Sequence, residues 1–186
     1  ARNGFDGASV RMITSEADVN LGAVTYHFGS KRGLYDAVLQ AGFGPLLERV
    51  GQAVHGDGRA LERMLAVTET YFEHLAEHPE LPHLLLQEVA AGREPPEPAK
   101  KVLGTVRQLL LGLHAEVLED GSIRPGHPGF ATLSAIAQPI YLTLVAPALR
   151  SIARIDLDDA AVREEATQHM RDVVRRGLAP DPEVTP

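Results

Sequence analysis

Twenty consecutive residues without a charged side chain, from 130 to 149, place the strongest constraint on how this chain can fold. A helix of that length could cross a bilayer. The run also contains two prolines, several alanines and polar side chains, which oppose insertion, and we expect no membrane span. A helix over 129–154 that is apolar on all sides must instead be buried on all sides, and a monomer of 186 residues offers little cover. The segment therefore predicts a symmetric homodimer, with these candidates for its core or interface: Leu133, Ile136, Ile140, Leu144, Ala148 and Ile152.

The composition favours helices and excludes cysteine chemistry. Hydrophobic residues make up 44% of the chain but only nine are aromatic, so the core must be built mostly from Leu, Val, Ala and Ile. The absence of cysteine excludes disulfides, thiolate metal sites and a cysteine nucleophile. It also suits a reducing compartment, and we expect a cytoplasmic protein.

Apolar residues at helical spacing fill most of the chain, and no strand pattern competes with them. Pro45 lies within one of these segments and should kink or interrupt it, because proline removes a backbone hydrogen bond. The fold class is therefore predicted to be all-α. Beyond the first 55 residues, the predicted helices cover 57–78, 80–91, 98–119, 129–154 and 157–178.

Two short helical patterns near the start of the sequence are separated by about three residues. The first begins after Ser9 and the second after Asn20, and both residue types are common N-caps. Ser30 can cap a third, longer helix. Two short amphipathic helices joined by so short a turn form a helix-turn-helix pattern. The spacing turns these apolar residues inward: Val10, Ile13 and Ala17 on the first helix, and Leu21, Val24 and Phe28 on the second.

The outer face of the second helix carries small and hydrogen-bonding side chains of the kind that enter a major groove. Thr25 and Ala23 could contact thymine methyl groups, and Asn20 could bond a base edge or a phosphate. The pattern alone is equally compatible with three short helices that only pack together, with Tyr26 half buried. The candidate DNA-binding residues are Asn20, Leu21, Ala23, Thr25 and His27, and the candidate phosphate contacts are Ser9, Arg11, Tyr26 and Lys31.

The charge distribution separates the first 40 residues from the rest. They carry four basic and four acidic side chains, whereas the remaining residues account for the whole net charge of −7. An acidic body would be repelled by nucleic acid, and only the neutral N-terminal segment could approach it.

The stretch "SVRMITSEADVNLGAVTYHFGSKRGLYDAVL" resembles the N-terminal domain of TetR-family transcriptional repressors over about residues 4 to 40. In that family a helix, a turn and a recognition helix ending in Tyr-His-Phe are followed by Ser-Lys. The form "NLGAVTYHFGSK" is most similar to the subgroup with CecR-type C-terminal domains. Asp18 stands where the family usually has glycine, a position that Asp can fill because it tolerates left-handed backbone. The resemblance also implies a first helix before "ARNGFDG".

The resemblance implies a helix-turn-helix DNA-binding domain over 1–43, a helical ligand-binding and dimerisation domain over 44–178 and a C-terminal tail over 179–186. It further implies a dimer that binds a pseudo-palindromic operator and is released by a largely apolar small molecule, with no cofactor and no enzymatic activity. Polar or amphipathic residues within apolar helices suggest the ligand pocket. We expect it to involve Met64, Tyr71, His83, Gln87, Leu110, His114, Gln138 and Tyr141.

Two other functions compete with this interpretation. One is an all-α small-molecule binding protein without a DNA role. The other rests on "HLAEH", in which His74, Glu77 and His78 match the inverted zinc-protease pattern. That match is weak, because His78 immediately precedes Pro79 and no third ligand is indicated. We therefore expect no metal site.

Overall fold

The computed structural model describes residues 3–180, and this part of the chain contains nine α-helices and no strand. The predicted all-α class is confirmed. The last six residues of the predicted tail lie outside the described range. In chain order the elements are α1 (Gly4–Gly7), α2 (Val10–Glu16), α3 (Gly22–Phe28), α4 (Lys31–Val54), α5 (Ala60–Glu77), α6 (Glu80–Ala90), α7 (Glu97–Glu119), α8 (Pro128–Ala148), a π-helical turn (Leu149–Ala153) and α9 (Ala160–Leu178).

Side-chain caps fix the starts of two helices near the N-terminus. The hydroxyl oxygen of Ser9 accepts a hydrogen bond from the Met12 N–H at 3.1 Å, and that of Ser30 accepts from the Gly33 N–H at 3.0 Å, as predicted. Asn20 behaves differently. Its side-chain oxygen accepts from the Gly22 N–H, only two residues along, and α3 therefore begins at Gly22, later than the sequence suggested.

The turn between α2 and α3 contains Asp18 in the left-handed region, with a φ of 52°. An Asp side chain occupies this region more readily than most L residues do, although less readily than glycine. This turn joins the two short helices, which form the predicted helix-turn-helix.

Helix α4 runs without interruption from the N-terminal helices into the body, through Pro45. The expected interruption at this proline does not occur. The imidazole Nε2 of His74 on α5 lies 2.8 Å from the Gly42 carbonyl oxygen, three residues before the proline. Tyr35 near the start of α4 and Val50 near its end are both buried. The same continuous helix therefore packs in the N-terminal part and in the body, and it joins the two.

The body core lies between α4, α5, α6, α7 and α8, and its side chains are mostly leucine and valine. Helix α9 packs on this core through Val174 and Leu178, and Met170 of the same helix forms a second small cluster with Phe72 and Leu157. Arg171 of α9 also pairs with Glu62 at 2.8 Å and with Glu69, which ties this helix to α5. Five helices thus enclose one core, and α9 covers one side of it.

Helix α8 is only partly buried within its own chain. Together with the π-helical turn it is the one helix among the described residues that is long and apolar enough to cross a membrane. Only 28% of its most apolar window is buried within the monomer. Phe130, Tyr141 and Ile152 are 72%, 63% and 84% exposed, so a large apolar face of this helix remains uncovered by its own chain.

Candidate DNA-binding helix and ligand cavity

The recognition helix α3 is anchored by one buried side chain. Val24 is 5% exposed and faces inward, as predicted. Leu21 and Phe28 were expected to face inward too, but they are 48% and 41% exposed. The expectation was wrong for these two residues because α1, α2 and α3 hold only four to seven residues each and bury just Thr14 and Val24.

The opposite face of α3 is open to solvent. Thr25, Tyr26 and His27 are all exposed, and Tyr26 reaches 85% exposure. A half-buried Tyr26, as the packing-only alternative requires, is therefore not observed. The tyrosine and histidine rings contact each other edge to face, with centroids 4.8 Å apart. The face thus presents hydroxyl and imidazole groups outward, while Ala23 is half buried.

The candidate phosphate contacts lie around the ends of α2 and α3. Ser9 and Arg11 are exposed at the start of α2, and Asn20 is exposed in the turn. Lys31 is half buried because its ammonium group lies 4.5 Å from the centroid of the Phe5 ring. This cation–π contact ties α1 to the start of α4 and fixes the position of the charge.

A buried charged group joins the helix-turn-helix to the body. Glu88 of α6 is 3% exposed and accepts hydrogen bonds from Arg93 Nε at 2.7 Å and from the Tyr35 hydroxyl at 3.4 Å. Arg93 also pairs with Asp6 of α1 at 2.9 Å. The arginine hydrogen bond is the main cause that lowers the pKa of Glu88, so the carboxylate is ionised at neutral pH. Helix α6 is thereby attached to both α1 and α4.

The other side of α6 faces a cavity of about 470 Å³ in the body. Its wall is almost entirely apolar, and Arg107 is the one charged residue among the described residues that line it. Such a cavity can hold a small molecule of mainly hydrocarbon character. The wall consists of Phe43, Leu46, Tyr71, Leu75, Pro82, Leu85, Leu86, Val89, Leu103, Val106, Arg107, Leu110, Leu111, Gly129, Thr132, Leu133, Ile136, Ile140 and Leu144.

Of the eight residues expected to bind a ligand, only Tyr71 and Leu110 line this cavity. Met64 is fully buried in the core, and Tyr141 points to solvent on α8. His83 bonds the Pro79 carbonyl through its own ring nitrogen, at 2.7 Å. Most of the predicted residues are polar, whereas apolar residues form most of the wall. Outside the wall lie Met64, His83, Gln87, His114, Gln138 and Tyr141.

The six residues expected at the dimer interface divide into two groups. Four of them line the cavity and thus face the interior of the subunit, at least in part: Leu133, Ile136, Ile140 and Leu144. Ala148 and Ile152 are exposed near the end of α8 and in the π-helical turn. Phe130, which the sequence argument did not select, is exposed on the same helix. Leu133 is itself 52% exposed, so the uncovered apolar face contains both predicted and unpredicted positions.

The three residues of the zinc-protease pattern do come together. One ligand atom from each of His74, Glu77 and His78 lies within 4.8 Å of the others. Each residue already has a partner: His74 has the Gly42 carbonyl, Glu77 pairs with Arg49 at 2.9 Å, and His78 lies 3.4 Å from Glu80. Burial lowers the pKa of His74 and keeps the imidazole neutral.

The described residues thus combine an exposed helix-turn-helix with a body that contains an apolar cavity, and one long helix joins the two. Residues 1–38 match the family model of bacterial regulatory proteins, tetR family. Over these residues the chain is similar to the TetR family, and the fold of nearly the whole chain is similar to that of a solved tetR-family regulatory protein. None of the curated proteins compared with the sequence matches it significantly.

Solved structures of similar fold cover almost the whole chain. A protein of unknown function from Rhodococcus sp. RHA1 is 27% identical, with a TM-score of 0.69 over 94% of this chain and 87% of that one. A bacterial regulatory protein in the tetR family from Rhodococcus RHA1 is 17% identical, with a TM-score of 0.75 over 97% and 91%. The transcriptional regulator FadR from Bacillus subtilis, solved in complex with stearoyl-CoA, is 17% identical, with a TM-score of 0.71 over 96% and 92%.

Proposed function

We propose that this protein is a cytoplasmic repressor that binds a pseudo-palindromic operator as a homodimer and leaves it when a largely apolar molecule fills the cavity. The position of α6 is the observation that carries the proposal. One side of this helix supplies Pro82, Leu85, Leu86 and Val89 to the cavity wall, and the other side holds Glu88 against the helix-turn-helix. A ligand in the cavity can therefore act directly on the element that orients the DNA-binding helices.

The cavity supports an apolar effector with one anionic group. Its wall is hydrocarbon except for Tyr71, Thr132 and Arg107, and a guanidinium pairs well with a carboxylate or a phosphate. An acyl chain with an acidic or phosphorylated end fits both properties. FadR from Bacillus subtilis, whose fold is similar, binds stearoyl-CoA, which has this chemistry.

The exposed face of α8 supports the homodimer. A second copy would cover Phe130, Tyr141 and Ile152, which the monomer leaves in water. Two recognition helices related by a two-fold axis could then enter successive major grooves about 34 to 36 Å apart. In a second conformer of the dimer, the two recognition helices would be too far apart to enter both grooves. An effector that binds this conformer more tightly would shift the population away from the DNA-bound one, and the free energy of the shift is at most the difference between its affinities for the two conformers.

Selection of genomic fragments bound by the full chain, followed by ligand titration on the best fragment, tests this function. We expect one fragment class to bind with a steep dependence on salt and to be released by long-chain acyl compounds. Binding without preference over random duplex would contradict the repressor and favour an all-α binding protein without a DNA role. Tighter DNA binding with ligand would indicate recruitment in place of release.

A further inference from the structure

Two hydroxyl groups in the cavity wall have no hydrogen-bond partner among the described residues. They are the phenol of Tyr71 on α5 and the side-chain hydroxyl of Thr132 on α8. Tyr71 is 2% exposed and Thr132 is 7% exposed, so bulk water does not replace the missing partners. Burial of a hydroxyl without a partner is unfavourable, and such groups are uncommon in folded proteins.

Other buried hydroxyls on the same two helices are satisfied. Thr68 on α5 donates to the Met64 carbonyl, and Thr143 on α8 donates to the Pro139 carbonyl at 2.9 Å. Both use the carbonyl four residues earlier, the common solution for threonine within a helix. Thr132 does not make that bond, although Pro128 lies four residues earlier. Burial also raises the pKa of Tyr71, so its phenol keeps the proton and can donate.

We propose that the natural effector carries an uncharged oxygen group, a ketone or a hydroxyl, within its apolar body, and that Tyr71 and Thr132 hydrogen-bond this oxygen. The inference rests on the proposed function and specifies its ligand. Arg107 on α7 would hold the anionic end, and the two hydroxyls on α5 and α8 would select oxygenated chains over plain ones. A saturated fatty acyl chain would fill the same space but leave both hydroxyls unpaired.

The test uses the full chain, stearate, and a set of ketostearates and hydroxystearates with the oxygen at different carbons, titrated by calorimetry. We expect the best oxygenated acid to bind about tenfold more tightly than stearate, the size of one or two net hydrogen bonds. Tyr71→Phe and Thr132→Val should remove this advantage, so that each variant binds the best oxygenated acid no more tightly than it binds stearate. Thr143→Val is the matched control, because Thr143 does not line the cavity and its hydroxyl is already paired.

The stability of the ligand-free variants gives a second, independent readout. Tyr71→Phe should leave resistance to urea unchanged or increase it, since the deleted hydroxyl has no partner; a loss of stability would show an internal partner and overturn the inference. Equal affinity for stearate and every oxygenated acid would also overturn the inference of an oxygenated effector. If stearate nevertheless released the protein from DNA, the proposed function would still hold. If none of the acids binds or releases DNA, the proposed acyl effector fails together with the inference.

Discussion

The Tyr35 hydroxyl donates a hydrogen bond to the carboxylate of Glu88 across the boundary between the helix-turn-helix and the body, over 3.4 Å. Burial, reinforced by this carboxylate, raises the pKa of Tyr35 to about 12, so the phenol stays protonated and remains a donor at any physiological pH. Glu88 also holds Arg93, which reaches Asp6 on α1. The buried carboxylate of Glu88 thus contacts α4 directly through Tyr35, and it is linked to α1 through Arg93.

We expect Glu88→Gln to uncouple ligand binding from DNA release. The variant keeps the shape of the side chain but loses the charge-assisted bond to Arg93, which should lower the free energy of unfolding by about 1–3 kcal/mol. Fluorescence anisotropy with a bound operator fragment would show a smaller response to ligand, while calorimetry would show nearly unchanged ligand affinity.

The control for this experiment is Glu94→Gln. Glu94 pairs with Lys100 at an exposed position, and its replacement should change stability by less than about 0.5 kcal/mol. A Glu88→Gln protein that is released from DNA by the same ligand concentration as the wild type would show that α6 does not transmit the signal through this carboxylate.

The sequence predicted the helices well and the cavity poorly. The Ser9 and Ser30 caps involve only residues three positions away in the sequence, and the left-handed φ of Asp18 depends mainly on its own side chain. A short sequence pattern is therefore sufficient to predict these features. The cavity wall consists of apolar residues on five helices that leave space between their side chains. That space depends on how the helices pack in three dimensions, which the spacing of apolar residues along the sequence does not predict. Leu86 and Leu84 are neighbours of the same type on α6, yet one lines the cavity and the other is buried in the core.

On the recognition helix, Thr25→Ala and Tyr26→Ala should have different effects. In the proposed DNA complex Thr25 would contact bases, so its loss should change sequence preference. Tyr26 would contact the DNA backbone in the same complex, and its loss should weaken binding to all DNAs alike, by up to about tenfold. Selection of binding sites with each variant measures both effects; equal losses on every sequence for both variants would contradict the role of Thr25.

Lys31→Ala should reduce the slope of log affinity against log salt by about one. The substitution also deletes the contact with the Phe5 ring, so a loss of stability of about 0.5–1 kcal/mol should accompany it. Lys101→Ala, on the exposed surface of α7, is the matched control and should leave the slope unchanged. An unchanged slope for Lys31→Ala would show that this lysine has only its structural role.

A carboxylate on the exposed face of α8 should separate the homodimer. Tyr141→Asp and Ile152→Asp place a charge where the proposed second copy would bury it, and sedimentation should show monomers at concentrations that keep the wild type dimeric. Operator affinity should fall when the dimer is lost, because each monomer then binds a half-site separately. Leu118→Asp, at another exposed apolar position at the end of α7, should remain dimeric.

The buried imidazole of His74 should make stability depend on pH. Burial lowers its pKa below the ordinary 6.5, so between these two values the unfolded chain binds a proton that the folded chain does not. The free energy of unfolding should therefore decrease as the pH falls through 6.5, by at most about 1.4 kcal/mol per pH unit, and level off below the pKa of the folded state. Urea unfolding between pH 5 and 8 measures this slope.

The comparison that assigns the slope to His74 uses His74→Gln and His83→Gln. The first removes the titrating group and should flatten the dependence in this window, even if the whole curve moves to lower stability because the bond to the Gly42 carbonyl is weakened. The second replaces a half-buried histidine on α6 that is hydrogen-bonded within its own helix. If His74→Gln keeps the wild-type slope, another group is responsible for the titration. The neutral imidazole of His74 would then not control how the free energy of unfolding depends on pH.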